Sequence, residues 1–145
     1  MPSSIEKIVD GFPFPTIDPT IVTPDYESIT DIHLKINSNA ASVQSNLGCG
    51  TLGLLFLTVS PAVYATLSRT AFFPPVNPGP EPSISTRSTG AVICDLRYHH
   101  TKATNIFTKY KNTDKALRQL LLASTDELYV RSLRHKYIGY GKTTT

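Results

Sequence analysis

The distribution of proline places the strongest limit on what this chain can fold into. Five of its 11 prolines fall within nine residues, from Pro74 to Pro82, with Gly79 among them. Because proline fixes φ and lacks a backbone N–H, it interrupts both helices and paired strands. We therefore expect residues 72–86 to form an extended, polyproline-type surface loop without regular structure.

A second group of prolines predicts a non-helical N-terminal arm over residues 1–22. Pro13, Pro15 and Pro19 are spaced too closely for a helix. Apolar side chains, including Phe12 and Phe14, lie between them. A fully solvated tail would not need so many apolar residues, so we expect the arm to pack on the rest of the protein.

Apolar periodicity predicts the first long helix over residues 24–47. Thr23 is a suitable N-cap, and Pro24 fits the first helical position. Apolar residues then recur every three or four positions, at Ile29, Ile32, Ile36, Ala40, Val43 and Leu47. Gly48 supplies the stop. We expect this face to be buried in the core.

For the middle of the chain, the sequence leaves one segment open between two structures and predicts one short helix. Residues 54–59 are apolar and fit either a short strand or a buried extended segment. Ser60 and Pro61 form a second cap-plus-proline pattern, which predicts a short helix ending near Arg69.

Two further long helices are predicted after the proline-rich loop. Ser88 or Thr89 can cap the first, whose apolar positions step by four and three: Val92, Leu96, His99, Ala103, Ile106 and Tyr110. A break is expected at Asn112 and Thr113. Asp114 can then cap the last helix, which ends near Gly139. The apolar positions of this helix are Leu117, Leu120, Leu121, Leu128 and Leu133. The prediction is an all-α bundle of three long helices and one short helix over residues 23–140, followed by a frayed tail, 141–145.

Composition excludes several classes of protein. The chain has 145 residues, of which 40% are hydrophobic and 17% charged, which suits one globular domain and not a disordered chain. Its two cysteines cannot build a four-thiolate zinc site. No leader pattern and no apolar run of about 18 residues is present. We expect a reduced, cytoplasmic protein with no cofactor, no small-molecule substrate and no membrane segment.

Charge is divided unevenly along the chain. Residues 1–47 carry six acidic and two basic residues, whereas residues 91–145 carry four acidic and ten basic ones. If these segments form separate faces, the acidic face of one copy can meet the basic face of the next in a head-to-tail contact. We therefore expect the protein to bind further copies of itself and to form a homo-oligomer.

The patterns that suggest catalysis are weak, and we expect no enzyme. Gly48, Gly50 and Gly53 match a dinucleotide-binding spacing but follow a predicted helix instead of a strand. The segment 139–143 resembles a phosphate loop only in part, because Lys136 stands where its first glycine belongs. Cys94 and His99 could form a nucleophile–base pair but have no evident third group; an enzyme built on them is the second rival interpretation.

Nucleic-acid binding through the basic C-terminal half is the first rival interpretation. Its candidate RNA contacts are Lys102, Lys109, Lys111, Lys115, Arg118, Arg131 and Arg134. Nearby aromatic residues could stack on bases, although several of them fall on apolar helical stripes. The proline-rich loop offers a separate candidate partner site at Pro78, Gly79 and Pro80.

Spaced short motifs over roughly residues 25–140 resemble Gag-like proteins of LTR retrotransposons, of the Copia type. They are Asn39-Ala40-Ala41-Ser42-Val43, Leu47-Gly48-Cys49-Gly50, Leu52-Gly53-Leu54, Ser60-Pro61 to Tyr64, Phe73-x-x-Val76-Asn77-Pro78-Gly79-Pro80-x-Pro82, Asp114-x-Ala116-Leu117 and Leu133 to Gly139-Tyr140. The resemblance implies a capsid-like helical protein that assembles into particles around RNA.

The chain also departs from that family's pattern. Similar proteins carry a second glycine and a histidine where this chain has Cys49 and Thr51. They also continue into a further helical region beyond the part that this chain matches. In addition, this sequence contains neither a zinc knuckle nor an Asp-Thr-Gly or Asp-Ser-Gly protease signature. The expectation is a truncated or domesticated copy, for which particle assembly is an open question.

Overall fold

The computed structural model describes residues 1–19, 25–125 and 136–137, and all regular structure within them is helical. The four helices are α1 (Ser4–Asp10), α2 (Tyr26–Ser42), α3 (Pro61–Leu67) and α4 (Gly90–Ser124). Short 3-10 turns cover Gly50–Leu52 and Leu55–Leu57. The all-α class is confirmed. The predicted set of three long helices is wrong for the residues described, among which α2 and α4 are long and α1 and α3 have seven residues each.

Helix α2 is shorter than predicted at both ends. Asp25 is its N-cap: the carboxylate accepts from the Ser28 N–H at 2.8 Å, and the Asp25 N–H donates to the Ser28 hydroxyl at 3.0 Å. The cap predicted at Thr23 and Pro24 lies outside the described residues. At the other end, the Leu54 N–H donates to the Ala40 carbonyl at 3.0 Å. The returning chain thus satisfies the helix terminus, so α2 ends at Ser42 and not at Leu47.

The glycine-rich segment, residues 48–53, allows the backbone to pack closely and does not cap α2. Gly53 has a φ of +51°, and a Cβ atom there would overlap the Ala41 and Val43 carbonyl oxygens. At Gly48 an added Cβ would overlap the Tyr64 hydroxyl, which accepts a hydrogen bond from the Cys49 N–H at 3.1 Å. Gly48 and Cys49 therefore meet Tyr64 in a close contact that shapes the fold.

A small second core covers this turn. Its buried members are Leu54, Leu55, Tyr64 and Phe72, and Phe56 stacks on Phe72 with ring centroids 4.5 Å apart. Residues 55–57 form a 3-10 turn, so both predictions for residues 54–59, a short strand and a buried extended segment, are wrong. Helix α3 begins after Ser60, as predicted, and ends at Leu67 instead of near Arg69.

Helix α4 is one continuous helix of 35 residues, roughly 52 Å long. The break predicted at Asn112 and Thr113 is wrong. Thr113 is fully buried, and its hydroxyl donates to the Lys109 carbonyl at 2.7 Å within the helix. Burial and this internal hydrogen bond outweigh the weak helix propensity of threonine. Asp114 is therefore an interior residue of α4, while Leu128, Leu133 and Gly139 lie outside the described residues.

The main core is built from α1, α2 and the C-terminal half of α4. Its buried residues are Phe12, Ile17, Ile36, Ala40, Ala116 and Leu117. The prediction that the N-terminal arm packs on the protein is confirmed, although the arm also contains α1, which was not predicted. The expected burial of the α2 face is confirmed at Ile36 and wrong at Ile29, which is 56% exposed. The irregular loop predicted over residues 72–86 is confirmed.

Candidate functional site

The N-terminal half of α4 carries an apolar stripe that the rest of the described chain leaves largely uncovered. We call its six heptad-spaced residues the α4 stripe: Val92, Leu96, His99, Ala103, Ile106 and Tyr110. Val92 is 47% exposed, and Leu96 and Ile106 are each 37% exposed. The buried residues of α4 all lie further along, from Thr113 to Ser124. One helix therefore has a covered half and an uncovered half.

The proline-rich loop braces a different side of the same half-helix. The His100 Nε2 atom lies 3.0 Å from the Gly79 carbonyl oxygen, and Arg97 forms an ion pair with Glu81 at 3.2 Å. Ile93 and Phe107 are half-buried. These contacts hold the helix against the loop while Val92, Leu96 and Ile106 keep their exposure.

Charged residues flank the α4 stripe on one side. Asp95, Lys102 and Lys109 are spaced by seven residues and so share one edge of the helix. The Asp95 carboxylate is 3.1 Å from the His99 Nε2 atom. The Lys109 ammonium donates to the Gln44 carbonyl at 2.7 Å. The edge is acidic near the start of the helix and basic near its middle.

A groove of about 480 Å³ lies beside this edge. Residues 44–47 and Leu54 form one wall, and the other wall consists of Lys102, Ile106, Lys109 and Tyr110. Tyr110 also contacts Phe72 of the second core, with ring centroids 6.2 Å apart. Burial raises the pKa of the Tyr110 hydroxyl, and the nearby Asp114 charge raises it further. Tyr110 therefore stays neutral well above physiological pH.

The structure divides the candidate RNA contacts between two faces. Lys102 and Lys109 line the groove, whereas Lys111, Lys115 and Arg118 lie on roughly the opposite side of α4. Arg118 pairs with Asp114 at 2.8 Å, and the Lys111 ammonium lies 5.7 Å from the centre of the Phe107 ring. These five described residues thus do not form one continuous basic patch. Arg131 and Arg134 lie outside the described residues.

The candidate partner loop lies on the surface but is held in place. Gly79 and Pro80 are exposed, and Pro78 is half-buried. Gly79 has a φ of +73°, and its N–H donates to the Asn77 side-chain oxygen at 2.9 Å. Together with the Gly79–His100 contact, this turn gives the loop a defined shape against α4.

The residues considered for nucleophile chemistry, Cys94 and His99, both lie on the surface of α4. Cys94 is exposed on α4 and does not line the groove beside Lys102 and Lys109. Within the described ranges, no three potential metal-ligating side chains come together. The phosphate-loop-like segment 139–143 lies outside those ranges. Hydrogen bonds from Thr51 lower the pKa of the half-buried Cys49 thiol.

A second groove, of about 370 Å³, was not anticipated from the sequence. It lies between α2 and the C-terminal end of α4 and is lined by Ile29, Ile32, His33, Ile36, Thr58, Leu121 and Thr125. Ile29 is exposed because it lines this groove: the apolar face of α2 is wider than the core that covers it. No periodicity rule distinguishes a groove wall from a core position.

No protein-family model, curated protein or solved structure matches this chain. In the part of the chain that the structure describes, no helix has both the length and the apolar character needed to cross a bilayer.

Proposed function

We propose that this protein is a non-enzymatic, cytoplasmic structural module that self-assembles through the α4 stripe. The observation that carries the proposal is the exposure of Val92, Leu96 and Ile106 on a helix whose other half is firmly packed. An exposed apolar row of this kind is typical of a surface that is covered in an assembly. The Gag-like resemblance supports the same class of function, with the helical domain acting as a capsid-like unit.

The test compares self-association of the wild type with that of a stripe variant. Sedimentation velocity over a wide concentration range should show reversible association, which Leu96→Lys abolishes by placing a charge in the contact. Leu34→Lys is the matched control, because Leu34 is also an exposed helical leucine, at 59%, but lies on α2. A wild type that stays monomeric at high concentration would contradict self-assembly and leave binding of a different partner.

RNA binding is the second candidate function, and the convergence of Lys102 and Lys109 on one groove favours it. In titrations with single-stranded RNA, the logarithm of the binding constant should fall linearly with the logarithm of the salt concentration. For the Lys102→Gln/Lys109→Gln variant, this slope should be smaller in magnitude by about 1.4, at about 0.7 per lost phosphate contact. Lys111→Gln/Lys115→Gln is the control, with two equivalent charges removed from the other face. Equal loss in both variants would indicate nonspecific attraction, not a groove site.

A further inference from the structure

We infer that the α4 stripe pairs with the stripe of a second copy of this chain, with the two helices antiparallel and centred on residue 101. This inference rests on the proposed self-assembly and specifies its partner and geometry. Its basis is the heptad spacing of the stripe, whose residues occupy alternating a and d positions.

Side-chain sizes favour this antiparallel register. About residue 101, Val92 lies opposite Tyr110 of the second copy, and Leu96 lies opposite Ile106. At the centre, His99 lies opposite Ala103. Each bulky side chain therefore meets a smaller or equal one, which is the pattern that fills space between two helices. A parallel pair would place Tyr110 against Tyr110 and Ala103 against Ala103, so one layer would be crowded and another empty.

The extent of the uncovered helix fits the same register. Helix α4 begins at Gly90, and its first buried residue is Thr113. An antiparallel overlap centred on residue 101 runs from residue 90 to residue 112 in both copies. The contact would thus cover the exposed half of each helix and end at the half-buried Tyr110, which also contacts Phe72 of the second core.

Charge along the flanking edge agrees with the antiparallel pair. Asp95 of each copy lies diagonally across from Lys109 of the other, offset by two residues from the position directly opposite, which gives two attractive pairs related by the two-fold axis. The Asp95 carboxylate is well exposed. The Lys109 ammonium donates to the Gln44 carbonyl of its own chain and has two further N–H groups for a carboxylate across the contact. Lys102 meets its own counterpart at the axis. That single repulsion involves long exposed side chains, which can turn apart into solvent.

A charge exchange tests the pairing of Asp95 with Lys109. Asp95→Lys and Lys109→Glu should each weaken self-association by about threefold to thirtyfold, as expected for two exposed ion pairs. The double variant Asp95→Lys/Lys109→Glu should recover most of the wild-type affinity, because the pairs are restored with reversed sign. Thr108→Glu, at an exposed position on the opposite side of the helix from the stripe, is the control. Failure of the double variant to recover would overturn the pairing.

Cysteine cross-linking tests the orientation independently. In a Cys49→Ser/Cys94→Ser background, a mixture of Leu96→Cys and Ile106→Cys proteins should form disulfide-linked dimers on oxidation, whereas neither protein should do so alone. Efficient self-linking of Leu96→Cys would indicate a parallel pair; it would overturn this inference while leaving self-assembly intact. A monomeric wild type in sedimentation would instead overturn both proposals, so the two failures are distinguishable.

Discussion

The side-chain amide of Asn39 makes hydrogen bonds to both backbone groups of Phe14. The Phe14 N–H donates to the Asn39 Oδ1 atom, and the Asn39 Nδ2 atom donates to the Phe14 carbonyl, both at 2.9 Å. Asn39 is fully buried in α2, and Phe14 lies 25 residues earlier in the arm. One amide thus mimics a strand partner and fastens the proline-rich arm to the core.

Asn39→Ala should therefore destabilise the protein by about 1–3 kcal/mol, because two backbone groups of Phe14 lose their partners. Denaturant unfolding measures the loss, and limited proteolysis should show earlier cleavage of the arm. Ser38→Ala is the matched control: its hydroxyl bonds only the Leu34 carbonyl on the exposed side of α2. Equal stability of the two variants would show that the arm is held by its apolar side chains alone.

Two isoleucines of α2 should respond differently to truncation. Ile36 is 3% exposed within the main core, so Ile36→Ala should cost about 2–5 kcal/mol of unfolding free energy. Ile29 is 56% exposed, and Ile29→Ala should change stability by no more than about 0.5 kcal/mol. Chemical denaturation of both variants gives the comparison. Similar costs would place both residues in one buried face, as the sequence pattern predicted.

We expect glycine to be required at position 53 and dispensable at position 50. Gly53→Ala combines a positive φ with overlap against two backbone carbonyls, so we expect a loss of at least about 2 kcal/mol. Gly50→Ala places a methyl group in open space and should be within about 0.5 kcal/mol of the wild type. Thermal unfolding of the pair checks this. A tolerated Gly53→Ala would mean that the turn after α2 can rearrange.

The N-cap of α2 should make stability sensitive to acid. Hydrogen bonds from the Ser28 backbone and side chain lower the pKa of the Asp25 carboxyl. A carboxyl with a lowered folded-state pKa stabilises the fold above its unfolded pKa of about 3.9, and the contribution is lost as pH falls through the folded value. Asp25→Asn keeps a capping side chain that does not titrate. Its stability should thus fall less steeply below about pH 4 in denaturant unfolding across pH.

Salt should weaken assembly without abolishing it. The Debye length falls to about 3 Å at 1 M salt, so ion pairs across an α4 contact would be screened while its apolar layers persist. We expect the size of the assembled species to stay constant in sedimentation and its dissociation constant to rise. Growth into large species at low salt, with complete dissociation at high salt, would instead support the head-to-tail contact between the acidic and basic segments.

Local sequence signals predicted the elements that depend on local chemistry. Ser60 with Pro61 marked α3, and the proline run marked the loop, because both act through φ and backbone N–H groups of neighbouring residues. Helix α1 was missed although its signal was present: Ser3 and Glu6 form a reciprocal capping box at its first turn. The prolines that follow α1 concealed this pattern.

Tertiary contacts determined the features that the sequence did not predict. The break expected at Thr113 is absent because burial against the core favours the helix there. The end of α2 is set by Leu54, which is distant in sequence from the pattern it interrupts. The candidate basic residues were grouped by proximity in sequence, whereas the continuous helix distributes them over two faces. The heptad spacing of the α4 stripe was visible, but only the structure places it at the surface.

The two halves of α4 should differ in local stability, although one continuous series of backbone hydrogen bonds joins them, because only the C-terminal half packs in the main core. Amides near Ala116 and Leu117 are protected by the main core, so their exchange with solvent requires opening that approaches global unfolding. Amides of the first turns have few buried neighbours and can exchange through fraying at Gly90. Deuterium uptake should consequently decrease along the helix from Gly90 to Ser124. Contact with a second copy would slow uptake selectively in the first half.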